Sequence, residues 1–185
     1  MGRAMTLEDL EARFANVSAE RTHHRDQHLG IVACTEALTA ARRGNYGVGA
    51  VLVDPTGGIV EQGRNTVFFP HFRSDLHAEM VVMNAFEERH PAVDNMRGYT
   101  LMCSLEPCPM CLARLLVAGV QTVKFLAYDE LAGMVNQRQH FPTAWKRLWQ
   151  RQEFIQADVS ESLRQFALDV FFVNLEACRQ KLLSR

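Results

Sequence analysis

The sequence predicts an α/β fold: a three-layer α-β-α sandwich on one mixed five-stranded sheet. Three observations carry this. "YGVGAVLVD", "DPTGG" and "IVEQG" follow one another as an extended run, a turn and a returning run, which spell a hairpin. Two later extended runs, "YTLMCS" and "TVKFLAY", are separated by a helix-like stretch, so they imply a right-handed crossover and parallel pairing. A chain of 185 residues is the size of one domain and long enough to bury a core.

Taken in order, residues 1–25 are polar and read as an N-terminal tail, with a short helix ("LEDLEARF") and a tether. His23, His24 and His28 lie in or beside it and read as solvated, since no thiol or carboxylate stands nearby at ligand spacing. Residues 26–185 read as the folded domain. Asp26–Arg43 is helical, because Ile31, Cys34, Leu38 and Ala41 recur three and four apart; Gly44-Asn45 ends it. The hairpin follows, then an irregular loop ("RNTVFFPHFRSDL") and a helix over His77–Arg89. After the strand "YTLMCS", "CPMCLARLLVAG" has the Pro-first, Gly-last form of a helix. "TVKFLAY" is a strand, "PTAWKRLWQR" a helix and "EFIQADV" a fifth strand. A last helix starts near Ser160 and runs almost to the end, with Leu163, Phe166, Val170 and Phe171 on its apolar face.

Composition narrows the function classes. A net charge of −1 lacks the Lys/Arg excess that phosphate backbones require, although it leaves room for a local basic patch. No apolar run reaches membrane-span length, and "MGRAMTLEDLEARF" has no apolar signal core, so a cytoplasmic protein without membrane contact is expected. Five cysteines in such a chain argue against a disulfide framework. Cys34, Cys103 and Cys178 fall in helix- or strand-like stretches and read as core thiols.

Two short motifs remain. "HAE" (His77-Ala78-Glu79) starts one helix, and "EPCPMC" starts another. Cys108 and Cys111 are three apart, so on a helix they share a face and can grip one ion. Three readings compete. A redox pair would also be C-x-x-C at a helix start, but it leaves "HAE" unexplained. A structural zinc knot wants four protein ligands, and beyond this C-x-x-C only Cys103 and His90 are near. A catalytic zinc needs three, His77, Cys108 and Cys111, with an open fourth position. His77 and Glu79, two apart, point about 200° away from each other on a regular helix. They converge only if the site lies over the helix's first turn.

At these residues the chain resembles the zinc-dependent cytidine deaminase superfamily, whose motifs are H-x-E and, about thirty residues on, P-C-x-x-C. The likeness spans Asp26 to the end. "YTLMCSLEPCPMC" and "LARLLVAGVQTVKFLAYD" look most like the guanine deaminase and tRNA adenosine deaminase branch. The resemblance implies zinc on His77, Cys108 and Cys111, lowering the pKa of a bound water. It implies Glu79 as the proton shuttle from water to ring nitrogen and departing ammonia. It implies Asn65, in "GRN", and the Ala78 backbone N–H as contacts to the base. Glu106 has two readings, a contact to the departing amine and, preferred here, a polar residue near a helix N-terminus. Phe68, Phe69, His71 and Phe72 offer stacking or core packing, and Trp145 and Trp149 read as packing. The loop "TVFFPHFRSDL" lacks the "DPTA" common before "HAE" in this branch, which puts the substrate in doubt more than the chemistry.

The expected function is hydrolytic removal of an exocyclic amine from a free nucleobase, nucleoside or related small heterocycle, with a guanine-deaminase-like activity as first choice. The alternatives are a tRNA adenosine-to-inosine deaminase and a non-catalytic zinc-binding domain. The tRNA alternative needs a basic face, from Lys146, Arg147 and Arg151 or from Arg179, Lys181 and Arg185; a solvated helix face accounts for these at a net charge of −1. The resemblance also implies a homodimer.

Overall fold

Strand β3 (Thr100–Leu105) lies at the centre of the sheet and joins its two kinds of pairing. The structure, a computed structural model, describes residues 5–185. The hairpin strands β1 (Gly49–Val53) and β2 (Ile59–Arg64) pair antiparallel, and β1 pairs antiparallel with β3. β3, β4 (Thr122–Ala127) and β5 (Glu153–Gln156) are parallel, giving the order β2-β1-β3-β4-β5. The crossover from β3 to β4 runs through helix α4 (Pro109–Ala118), which Gly119 ends in the left-handed region at φ 75°.

Two glycines fix the helical layers. Gly49 of β1 lies against the backbone of helix α2 (Gln27–Arg42), where a Cβ would strike Ala33 O and Ala37 N. Gly63 pairs with Ala50, one residue along, and so faces the other side. There a Cβ would press against Val81 and Val82 of helix α3 (Ala78–Arg89). Helices α2 and α3 therefore cover opposite faces, as the sandwich requires. Beside them lie α5 (Thr143–Trp149), α6 (Glu161–Phe172) and α7 (Leu175–Leu183). Trp149 joins Leu112, Leu116 and Phe154 in a small satellite core, the packing role the sequence assigned it.

Two segments differ from the sequence reading. Within the expected tail, of which residues 1–4 lie outside the described residues, Leu7–Ser18 forms a packed helix, α1. A capping box starts it: Asp9 N donates to Thr6 Oγ1 at 3.2 Å and Thr6 N to Asp9 Oδ2 at 2.9 Å. Leu7, Leu10, Phe14 and Val17 form its apolar stripe, and Leu10 is fully buried. Phe14 stacks on Phe166 of α6 at 4.7 Å, and Arg13 pairs with Asp169. The short helix read at this place is there and runs further; what its polar composition hid is the apolar face that packs it onto the domain.

The single C-terminal helix expected from Ser160 is instead two, broken at Val173-Asn174. The Asn174 amide donates to Ala41 O at 2.7 Å and Asn45 O at 3.0 Å, which ties the break to the end of α2. In α6, Leu163, Phe166 and Val170 are buried within the chain. Among the described residues no helix is long and apolar enough to cross a membrane.

If α1 is part of the core, Leu10→Ala removes a fully buried side chain and should destabilise the protein by about 2–4 kcal/mol. Urea unfolding checks this; a loss near zero would return the segment to a loose tail.

Candidate metal centre and pocket

The site forms where two helices begin side by side. His77 is the N-cap of α3 and Cys108 the N-cap of α4, both in extended backbone, with Pro109 as the first residue of α4. The free N–H groups and dipoles of two helix starts favour negative charge there. His77, Cys108 and Cys111 bring their donor atoms within 4.8 Å of one another. Cys108 Sγ stands 3.5 Å from His77 Nδ1. Donors sharing a tetrahedral zinc lie about 3.5–3.8 Å apart, so this pair stands at ligand spacing with Cys111 close by. This cluster holds three donors, not four, which suits a catalytic site more than a closed structural one.

The donors perturb one another. Cys108 is held at about 4, first by a hydrogen bond from the Cys111 thiol, against burial, and then by His77. Cys111 is raised well above an ordinary thiol, chiefly by its bond to Cys108 and then by burial and the Glu79 charge. For His77, burial pulls the ring down, but the bond to Cys108 and its negative charge outweigh that and raise it. Glu79 is 4% exposed, and burial, followed by the Cys108 charge, raises its carboxyl.

These groups open into a cavity of about 220 Å³ lined by Asn65, His77, Glu79 and Cys108 among others. It lies outside the carboxyl ends of β3 and β4, where Leu105, Glu106 and Asp129 stand, the usual place for a ligand in a parallel sheet. Asn65 follows β2 and is 2% exposed. Its Oδ1 accepts from Val67 N at 3.1 Å, leaving the side-chain N–H₂ as a donor. Cys111 is buried beneath, at 0% exposure. Ala78 is not among the lining residues; its N–H belongs to the first turn of α3, outside the intrahelical ladder.

Glu106 has a definite structural part. It is buried, and its Oε2 accepts from Asp129 N at 3.1 Å and its Oε1 from Val135 N at 2.8 Å. One carboxylate thus clamps the loop after β4, and Gly133 is needed because a Cβ there would collide with it. Sequence reasoning did not find this clamp, nor Asp129, Tyr46 and Arg179 in the cavity wall. Each is brought in from a distant segment, and only the recurrence of Leu175, Arg179 and Leu182 hinted at a pocket-facing helix face. In the aromatic loop, Phe68 and Phe72 pack on each other and Phe68 on Tyr46, and neither lines the cavity.

With this geometry in place, comparison with known proteins gives the family. The family model for the cytidine and deoxycytidylate deaminase zinc-binding region matches residues 23–127, and the chain belongs to this family. It is similar to the tRNA-specific adenosine deaminase of Agrobacterium fabrum, 30% identical over 156 residues that cover 80% of this chain and 94% of that protein. The corresponding Bacillus subtilis protein is 38% identical over 103 residues, 55% of this chain and 61% of its own length. The chain spans 19% of the length of another relative, a tRNA(Ile)-lysidine synthase of Deinococcus deserti, at 37% identity over 107 residues that cover 55% of this chain. Among solved structures, one from work on A-to-I editing by tRNA:A34 deaminases superposes with a TM-score of 0.60 at 25% identity, covering 70% of this chain and 97% of that one. A guanine deaminase from Nitrosomonas europaea shares the fold, with a TM-score of 0.60 at 16% identity over 85% of this chain and 91% of its own.

Purified protein should carry about one zinc per chain, and Cys108→Ala or His77→Ala should lose most of it, read by elemental analysis. Because the raised Cys111 thiol must shed its proton to ligate, chelator competition should show weaker retention at about pH 5.5 than at about pH 8. Equal retention at both would remove Cys111 from the ligand set.

Proposed function

We propose that the chain is a zinc-dependent hydrolytic deaminase of small aminated heterocycles, a free base or nucleoside, with the deaminase unit over residues 26–185. The observation that carries this is Glu79: a buried carboxylate that lines the same cavity as His77 and Cys108, two of the three clustered metal donors. A purely structural zinc site has no use for it. His77, Cys108 and Cys111 would hold the ion. Zinc there supplies Lewis acidity, enough to make water a nucleophile near neutral pH.

The rest falls to the chain's own groups. Asn65 donates to a ring acceptor through its side-chain N–H₂, and the Ala78 N–H adds a second donor at the α3 start. Together they present the amine-bearing carbon to the nucleophile. Glu79 takes a proton from water, gives it to the ring nitrogen, and passes the second to the leaving amine. Water and the amino compound become the oxo compound and ammonia. A raised carboxyl suits this shuttle, because it must both accept and donate near neutral pH. Burial of Glu79 keeps bulk water from competing with the transfer.

The small-substrate reading is supported by α7, whose Leu175, Arg179 and Leu182 form part of the cavity wall and narrow the approach of a long polymer. A second reading, deamination of a tRNA adenosine, is favoured by the adenosine deaminases among the relatives. We also read the protein as a cytoplasmic homodimer, supported by the resemblance and by the exposed Met110 and Val117 on α4.

Ammonia release from a panel of bases, nucleosides and tRNA anticodon arms, with and without chelator, decides among these. The expected outcome is chelator-sensitive release from a small substrate, with Glu79→Ala lowering kcat about 10²–10⁴-fold. Release from the RNA alone would establish the second reading. Full activity in Glu79→Ala would end the deaminase mechanism.

A further inference from the structure

The wall that α7 gives to the cavity has no part in the chemistry above. Leu175, Arg179 and Leu182 stand four and three apart, so one helical face is turned to the cavity. Arg179 is the one Lys or Arg among the lining residues. Its charge acts on Tyr46, another residue of the cavity wall.

Its neighbours on the chain are engaged. Lys181 Nζ donates to Gly44 O at 3.4 Å and stands over the Phe68 ring at 5.1 Å, while Arg185 lies over Phe72 at 3.2 Å. The cavity's acids are also held. Glu106 accepts from two backbone N–H groups, and Asp129 Oδ1 accepts from Leu131 N at 3.0 Å and Ala132 N at 3.1 Å. Among the described residues Arg179 makes no hydrogen bond or ion pair, so its guanidinium is free to meet a ligand.

A guanidinium is a planar fork of donors with no acceptor. It matches an edge carrying two neighbouring acceptors, such as an oxo oxygen beside a ring nitrogen. An edge carrying an amine beside a ring nitrogen presents a donor to a donor and is a poor match. With the reacting amine at Glu79, the edge that reaches α7 is the one remote from the chemistry.

We propose that Arg179 is a specificity-determining residue, which selects aminated heterocycles whose remote edge carries an oxo group over those carrying a second amine there. This rests on the deaminase reading of the cavity. It assigns to the C-terminal helix the choice of substrate, separately from the step that Glu79 performs.

The test is calorimetric binding to zinc-loaded Glu79→Gln protein, so that turnover does not blur the result. The probes are 2-amino-6-oxopurine and 2,6-diaminopurine, which differ at one edge position. The oxo compound should bind about 10- to 100-fold more tightly. Adding Arg179→Gln should remove that preference by weakening the oxo compound alone, and Arg179→Lys should restore part of it, since an ammonium makes one contact where the fork makes two. Arg179 is exposed, so the thermal midpoint should not move.

An unchanged preference in Arg179→Gln, equal weakening of both purines, or no binding of either would overturn the proposal. So would weakening confined to the 5′-monophosphate of the oxo nucleoside, which would make Arg179 a phosphate contact. Ammonia release by the protein with Glu79 intact is measured in parallel. Its absence for every substrate would sink the deaminase reading, while the binding preference would still decide the role of Arg179.

Discussion

The meeting of two helix starts is the constraint on which the rest of the structure depends. His77 and Cys108 lie 31 positions apart in hydrogen-bonded contact and come from different elements, and both are N-caps. For their donors to meet, α3 and α4 must begin at the same end of the sheet and on the same face. β3 meets half of this by running straight into α4. The antiparallel pairings of β1 with β2 and with β3 meet the other half, because they put the end of β2 and the loop to His77 at the carboxyl end of β3. Reversing β1 on β3 would carry His77 to the far edge.

The two helix starts also explain why buried thiols can become metal ligands at all. Burial alone raises a thiol, as it does for Cys34 in the middle of α2, which has no partner to share a proton. At the start of α4, Cys108 gains hydrogen bonds from Cys111 and His77 that outweigh the same penalty. Pro109 contributes by presetting the first turn of α4 and by having no N–H to leave unpaired. The local sequence therefore produces an anionic donor at the cavity wall, which a divalent cation would stabilise.

What was legible in the sequence follows the range of each interaction. "HAE" and "PCPMC" were readable because each places its donors within one helical turn, so spacing alone fixes their geometry. The strands were readable because the turns between them are local, as in "DPTGG". Helix α1 was read as a helix but not as part of the core: Leu7, Leu10, Phe14 and Val17 keep one face, which the polar average of the segment concealed. The break between α6 and α7 was not readable, because it depends on Asn174 reaching carbonyls 133 and 129 positions away. Glu106 was seen and misjudged for the same reason, since its partners, Asp129 and Val135, lie across the crossover.

That asymmetry divides chemistry from selection. The groups that would perform deamination are encoded in two short motifs that must start helices, and such motifs survive wherever the sheet is kept. The groups that complete the cavity wall come from the loop after β4, held by Glu106, and from α7, held by Asn174, Lys181 and Arg185. Neither segment contributes a metal donor, and neither is fixed by the spacing of the motifs. The family model ends at residue 127, just before both of them. Family membership therefore speaks for the metal centre, while the cavity wall beyond that point, with Asp129 and Arg179, lies outside what the family model covers.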